Sequence, residues 1–233
     1  MDTVALAQRY VEVWNEGDAR RRRERIRALW AADGTTCHRL VEARGYDAIE
    51  ARVAGAWEKW CRGGEHLFRA TAVTGHHGAV KCDWVMTAQP SGDATARGLS
   101  VLRLDQGGRI EADYQFNPTI ADAEDLADRY FASWNERDSE ARRRRLAELW
   151  RPDAVFIAAD GEDSSFAELD AARGVSPREM LVSAGRSQRH HNVAAVHWRR
   201  DAGATTRATT GADLLIFDES GRIRTGYRFD DSI

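Results

Sequence analysis

The second half of this chain rewrites the first. Arg9-Tyr10, Trp14-Asn15-Glu16, Asp18, Arg22-Arg23, Arg25, Leu29-Trp30 and Asp33 return as Arg129-Tyr130, Trp134-Asn135-Glu136, Asp138, Arg142-Arg143, Arg145, Leu149-Trp150 and Asp153, always 120 positions later. A second block, Gly98, Asp105, Gly108-Arg109-Ile110, Tyr114 and Phe116, returns as Gly211, Asp218, Gly221-Arg222-Ile223, Tyr227 and Phe229, 113 positions later. A period of about 115 residues far exceeds the roughly 20–50 of solenoid repeats and matches a whole domain. The chain therefore divides into two copies of one fold, 1–118 and 119–233. Differences between the copies become readable as chemistry.

Each copy is long enough to bury its own core. The 233 residues are 42% hydrophobic and 30% charged, an ordinary globular mixture. No apolar run approaches a membrane span. The N-terminal residues lack a signal-peptide pattern, so a cytoplasmic location is expected. Three cysteines, Cys37, Cys61 and Cys82, are odd in number and lack metal-type spacing, which favours reduced thiols. The net charge of −3 gives no general pull toward nucleic acid.

Both copies open with an amphipathic helix. Leu6, Tyr10 and Trp14 form one stripe, and Leu126, Tyr130 and Trp134 its counterpart. Asp18 and Asp138 are suited to cap second helices running to Trp30 and Trp150. Strands are predicted near 35–40 and 154–159. A third helix should start from a capping box at Asp47–Glu50 in one copy. In the other it should start at Ser176-Pro177 and stop near Gly185. Strands then follow near 66–75, 79–88, 96–104 and 110–116, and near 191–199, 204–217 and 223–229. No counterpart of the 66–75 strand can be placed in the second copy.

Helices followed by an antiparallel meander make an α+β fold. The series Tyr-x3-Trp-Asn-x2-Asp, a helix ending Leu-Trp-x2-Asp, Ala-Arg-Gly before a capped helix, His-His before a strand, then Asp-x-x-Gly-Arg-Ile resembles the SnoaL-like branch of the nuclear transport factor 2-like superfamily. That resemblance implies two tandem cone-shaped half-barrels, each with three helices on a curved antiparallel sheet around an apolar pocket. Paired through their sheets, the two would form an intramolecular pseudo-dimer, alone or in a further homodimer. It also implies polyketide cyclase or isomerase chemistry in secondary metabolism, or plain ligand binding. Fold alone does not choose between them.

The resemblance points to the strand beginning Gly211-Ala212-Asp213, where relatives often carry an acid. Asp213 among Leu214, Leu215, Ile216 and Phe217 would have a shifted pKa and could act as base or acid. With the 113-residue spacing kept, His197 takes the place of Trp84 and could pair with Asp213 from the next strand. Tyr227 could polarise a substrate oxygen. Tyr130, Trp134 and Phe217 would line that pocket. Tyr10, Trp14, His38, Trp84, Ser100 and Tyr114 would line the first one. His38 stands where relatives often have Asp before Pro, but Arg39 follows it here.

His76-His77 and His190-His191 suggest metal, yet neighbours on a strand point to opposite faces and no carboxylate or thiol stands at ligand spacing. Arg20–Arg23 and Arg142–Arg145 are expected to form mostly the solvated face of the second helix. The functional expectation is a cofactor-independent, metal-free enzyme doing acid/base chemistry on a mostly apolar small molecule, with no nucleic-acid or membrane partner. The alternative is a non-catalytic small-molecule carrier.

Overall fold

The computed structural model describes residues 2–117, 119, 121–163, 168, 179–202 and 209–231. Contacts divide the chain into two compact units that meet between Asn117 and Pro118. Among the described residues no helix is long and apolar enough to cross a membrane.

In the first unit, helices α1 (Thr3–Asn15), α2 (Ala19–Leu29) and α3 (Gly45–Trp60) pack on a six-stranded sheet. Its strands are β1 (Trp30–His38), β2 (Val41–Arg44), β3 (His66–His76), β4 (Ala79–Ala88), β5 (Ala94–Leu104) and β6 (Ile110–Phe116), ordered β2-β1-β6-β5-β4-β3. All neighbours run antiparallel except β1 and β6. The sheet is therefore mixed rather than purely antiparallel. β1 enters it from α2, and the long excursion through α3 and the meander brings β6 back beside it in the same direction.

Asp18 caps α2 by accepting from the Arg21 backbone N–H at 2.8 Å. Helix α2 ends one residue earlier than expected, because Trp30 already begins β1. The capping box at Asp47 is not used: α3 starts at Gly45, whose φ of +78° turns the chain out of β2. Trp30 is wholly buried. Removing an aromatic of roughly 200 Å² from water is worth about 5 kcal/mol before ordering entropy is subtracted.

The second unit repeats the plan with α4 (Glu124–Asn135), α5 (Ser139–Leu149), β7 (Trp150–Ala158), β8 (Gly161–Asp163), β9 (Glu179–Ser183), β10 (Gln188–His190), β11 (Val193–Ala202), β12 (Thr209–Phe217) and β13 (Ile223–Asp230). The order is β10-β11-β12-β13-β7-β8, with β9 also paired to β11. Asp138 caps α5 through the Ala141 N–H at 2.8 Å. The predicted start of a third helix at Ser176-Pro177 lies outside the described residues. Its predicted run to Gly185 is corrected, because Glu179–Ser183 is a strand.

The Trp-Asn pair of each copy explains that strand. Asn15 clamps Phe68 of β3, its Nδ2 donating to the Phe68 carbonyl and its Oδ1 accepting from the Phe68 N–H, both at 2.8 Å. Asn135 does the same to Leu181 of β9 at 2.7 and 3.0 Å. So β9 and β10 together are the counterpart of β3 that the sequence pattern left unplaced.

The arginine runs are mostly solvated, as expected, with two exceptions: Arg22 and Arg142 are buried. Arg22 binds Glu50 and the Glu16 carbonyl, and Arg142 binds the Glu136 carbonyl, closing the end of the preceding helix. One further expectation changes: the paired histidines do not point apart. His77 and His191 adopt φ of +45° and +50° in turns, bringing each Nδ1 to 3.3 and 3.2 Å from that of His76 and His190.

Candidate active site

A cavity of about 740 Å³ opens in the first unit. Of the residues singled out from the sequence, Tyr10, Trp14, His38 and Trp84 line it, and so do Arg52, Phe68 and Gln115. No Asp or Glu stands in its lining. The acid of the site lies one layer deeper. Asp113 of β6 has no exposure at all. It shares a sheet face with Gln115, two residues along β6, and with Ser100, the cross-strand partner of Gln115 on β5.

These groups form one hydrogen-bonded cluster. The Tyr10 hydroxyl donates to both Asp113 oxygens at 3.1 and 3.0 Å. Gln115 Nε2 donates to Asp113 Oδ2 at 2.9 Å and to the Tyr10 oxygen at 3.0 Å. Thr36 Oγ1 donates to Asp113 at 3.3 Å. Ser100 Oγ lies 3.0 Å from the Tyr10 oxygen and accepts from Trp84 Nε1 at 3.2 Å. Trp84 can reach it because Gly98 opposes it: a Cβ there would stand 2.0 Å from the indole.

Burial dominates the electrostatics. It pushes the Asp113 carboxyl up to about 7, while hydrogen bonds from Gln115, Tyr10 and Thr36 and the charge of Arg52 pull it down. Burial and the neighbouring Asp113 hold the Tyr10 hydroxyl well above its ordinary range, so Tyr10 stays a donor. The thiols of Cys37, Cys61 and Cys82 are buried and free. Burial raises them to about 12, 11 and 12, which removes them as nucleophiles.

The second unit puts different groups at the same positions. Asp213 stands where Ser100 does, Arg228 where Gln115 does, and Gly226 where Asp113 does. Asp213 is fully buried and holds Arg228 through two bonds, Nε to Oδ1 at 3.0 Å and Nη2 to Oδ2 at 2.7 Å. Tyr130 donates to Asp213 at 2.5 Å and Trp198 Nε1 at 2.8 Å. The guanidinium lies 4.4 Å over Trp134 and 5.1 Å from both Phe156 and Trp198. Phe156, the counterpart of Thr36, and Trp150 take up the space beside Gly226, where a Cβ would meet them at 2.9 and 2.8 Å. This is a closed ion pair in an aromatic cage.

His197 does not join Asp213. Trp198, not His197, is the counterpart of Trp84, because each opposes the glycine of its own Gly-x-Ser or Gly-x-Asp. The spacing on this strand is 114, as the two His-His pairs also show. His197 therefore faces the other side of the sheet, with Gly185 over it. Tyr227 also faces away, since Arg228 beside it is the residue opposite Asp213, and it stacks on Phe229. Tyr114 faces away from Asp113 for the same reason. Phe217 packs in the core of the second unit, under the Arg189 guanidinium at 4.1 Å.

Asp113 and Arg52 escaped the sequence reading. Comparison of the copies drew attention to the acid present only in the second, and Asp113 faces a glycine in that comparison. The usable signal was parity: Asp113 and Gln115 are alternate polar residues in a strand whose other positions are mostly apolar.

The SnoaL-like domain family matches residues 7–112. Among solved structures, a SnoaL-like family protein from Agrobacterium tumefaciens str. C58, named as a candidate isomerase, is 28% identical, covering 49% of this chain and 96% of its own, with a TM-score of 0.46. A candidate polyketide cyclase from Sinorhizobium meliloti is 13% identical over 48% of this chain and 93% of its own, with a TM-score of 0.38. A candidate ketosteroid isomerase from Kribbella flavida DSM 17836 is 18% identical over 47% and 77%, with a TM-score of 0.40. No curated protein matches the sequence.

Proposed function

We propose that the first unit, which the SnoaL-like domain family matches over residues 7–112, is a cofactor-independent acid/base catalyst for a largely apolar small molecule. The observation that carries this reading is Asp113: a wholly buried carboxylate with no ion pair among the described residues, bound to a tyrosine that lines the cavity. A carboxyl poised near neutrality can take and return a proton within one cycle.

Tyr10 is the group that meets substrate. As it accepts a proton from a carbon beside a carbonyl, its own proton passes to Asp113, and the electron pair stays on the substrate as an enolate. The transfer is concerted, because a free tyrosinate is disfavoured at this site. Return of the proton to another carbon gives an isomerisation, and attack of the enolate carbon on a second carbonyl gives ring closure. Gln115, which binds both Tyr10 and Asp113, holds the pair in register. The second unit contributes architecture, its Asp213 serving as the anion of Arg228.

Asp113→Asn tests the reading. It should lower turnover of an enolisable substrate by about a hundredfold or more, the usual weight of a general base. Unchanged turnover would remove Asp113 from the reaction. The absence of a carboxylate from the cavity wall favours one other reading, a carrier that binds without turnover. Recovery of a tightly bound ligand, chemically unchanged after prolonged incubation, would support it.

A further inference from the structure

Arg52 projects from α3 into the wall of the first unit's cavity, and its guanidinium lies 5.3 Å over Trp14. Its Nε is buried with no hydrogen-bond partner. The acid closest along its own helix, Glu50, is taken by Arg22 at 3.1 Å. Trp14 Nε1, on another residue lining the cavity, is likewise buried without an acceptor. Lys59 adds a second cation to the same wall.

The second unit supplies an internal reference. There too a guanidinium lies over the corresponding indole, Arg228 over Trp134. That one is matched by a carboxylate of the chain, Asp213, bound through two parallel bonds. In the first unit the acid has moved behind Tyr10, where Arg52 reaches it through charge alone, and no carboxylate among the described residues forms an ion pair with the cation over the indole. Planar guanidinium donors recognise planar two-oxygen anions, and a cation held in low dielectric gains most from such a partner.

We propose that Arg52 anchors a carboxylate on the substrate, so that the cavity takes a flat, mostly apolar acid rather than a neutral molecule. The anionic end would sit over Trp14 at α3, and the apolar body would extend toward Phe68 and Trp84. This rests on the reading of the cavity as a substrate site and narrows the substrate class.

The test is competitive displacement of a neutral fluorescent probe, N-phenylnaphthylamine, by naphthoate and by its uncharged isostere naphthamide. Naphthoate should displace the probe from the wild-type protein at roughly tenfold lower concentration, as one charge-assisted pair supports. In Arg52→Met, which keeps the stem over Trp14, that advantage should vanish while probe affinity stays within about twofold. Arg52→Lys should keep part of it, and Lys59→Met most of it. Equal displacement by the two competitors, or an advantage that survives Arg52→Met, would overturn the anchor and leave the role of Asp113 standing. Failure of the probe to bind wild-type protein would mean a closed cavity, and both readings would fall together.

Discussion

Asp113 makes the first unit less stable than it could be, and the sign follows from its pKa. The folded state holds this proton up to about pH 7, whereas an unfolded aspartate releases it near 3.9. Between those values the native state binds more protons than the unfolded one, so stability falls as pH rises through that window and levels off above it. A shift of this size corresponds to about 4 kcal/mol. Asp113→Asn should therefore raise the denaturation midpoint at pH 8 while lowering turnover about a hundredfold, and the gain should shrink on moving to pH 4. The same group sets the rate profile. Activity should climb through a single ionisation near pH 7 as the carboxylate form appears, and Asp113→Asn should flatten that limb. A rate that does not vary with pH between 5 and 8 would contradict a base at this position.

At the scale of elements, two strands carry opposite solutions to one problem. On β6 the buried carboxylate accepts hydrogen bonds from neutral donors only, and Arg52 acts on it through its charge without contact. In β12 and β13 the equivalent layer holds a paired acid and guanidinium. Breaking a buried pair from one side leaves an uncompensated charge, typically about 3–5 kcal/mol. Asp213→Asn or Arg228→Met should each destabilise the second unit by that order in denaturant titrations, without changing probe binding in the first. The double change Asp213→Leu with Arg228→Met should recover most of the loss; a double variant as unstable as either single one would show that the pair adds net stability.

Much of this arrangement was legible in the residues. The stripe Leu6-Tyr10-Trp14, the caps Asp18 and Asp138, and the strands of the first meander follow from local periodicity and capping chemistry. What misled was a one-residue change of spacing between β11 and β12, which put His197 in the place of Trp198. Because side chains alternate, a slip of one reverses the face, and the proposed His197–Asp213 pair disappears. The helix predicted up to Gly185 failed for a related reason: Glu179–Ser183 pairs with β11, and that long-range pairing overrides a local helix-start signal.

At the scale of the whole molecule, duplication has separated two uses of one fold. Tyr10 and Tyr130, Trp84 and Trp198, and the glycines opposite those indoles occur in both units, because they build the inner wall. The layer between them has diverged. One unit keeps an isolated acid beside a cavity, and the other neutralises its acid internally. Such a chain should bind one equivalent of a naphthoate-type ligand per molecule, and calorimetric titration should return that stoichiometry; two equivalents would require an open site in the second unit as well. That the sequence comparison singled out Asp213 while the structure shows it paired with Arg228 has a physical cause. A carboxylate gained by one copy marks either a reactive group or a fixed counter-ion, and only the position of Arg228 on the facing strand distinguishes them.

Burial keeps the Asp113 carboxyl protonated well above the ordinary aspartate range, with no ion pair among the described residues to hold it ionised. Carbon-detected NMR of the aspartate carboxyls, with Asp113 assigned by its loss in Asp113→Asn, measures this directly. The Asp113 resonance should titrate near pH 7; a carboxyl already ionised at pH 4 would overturn the reading.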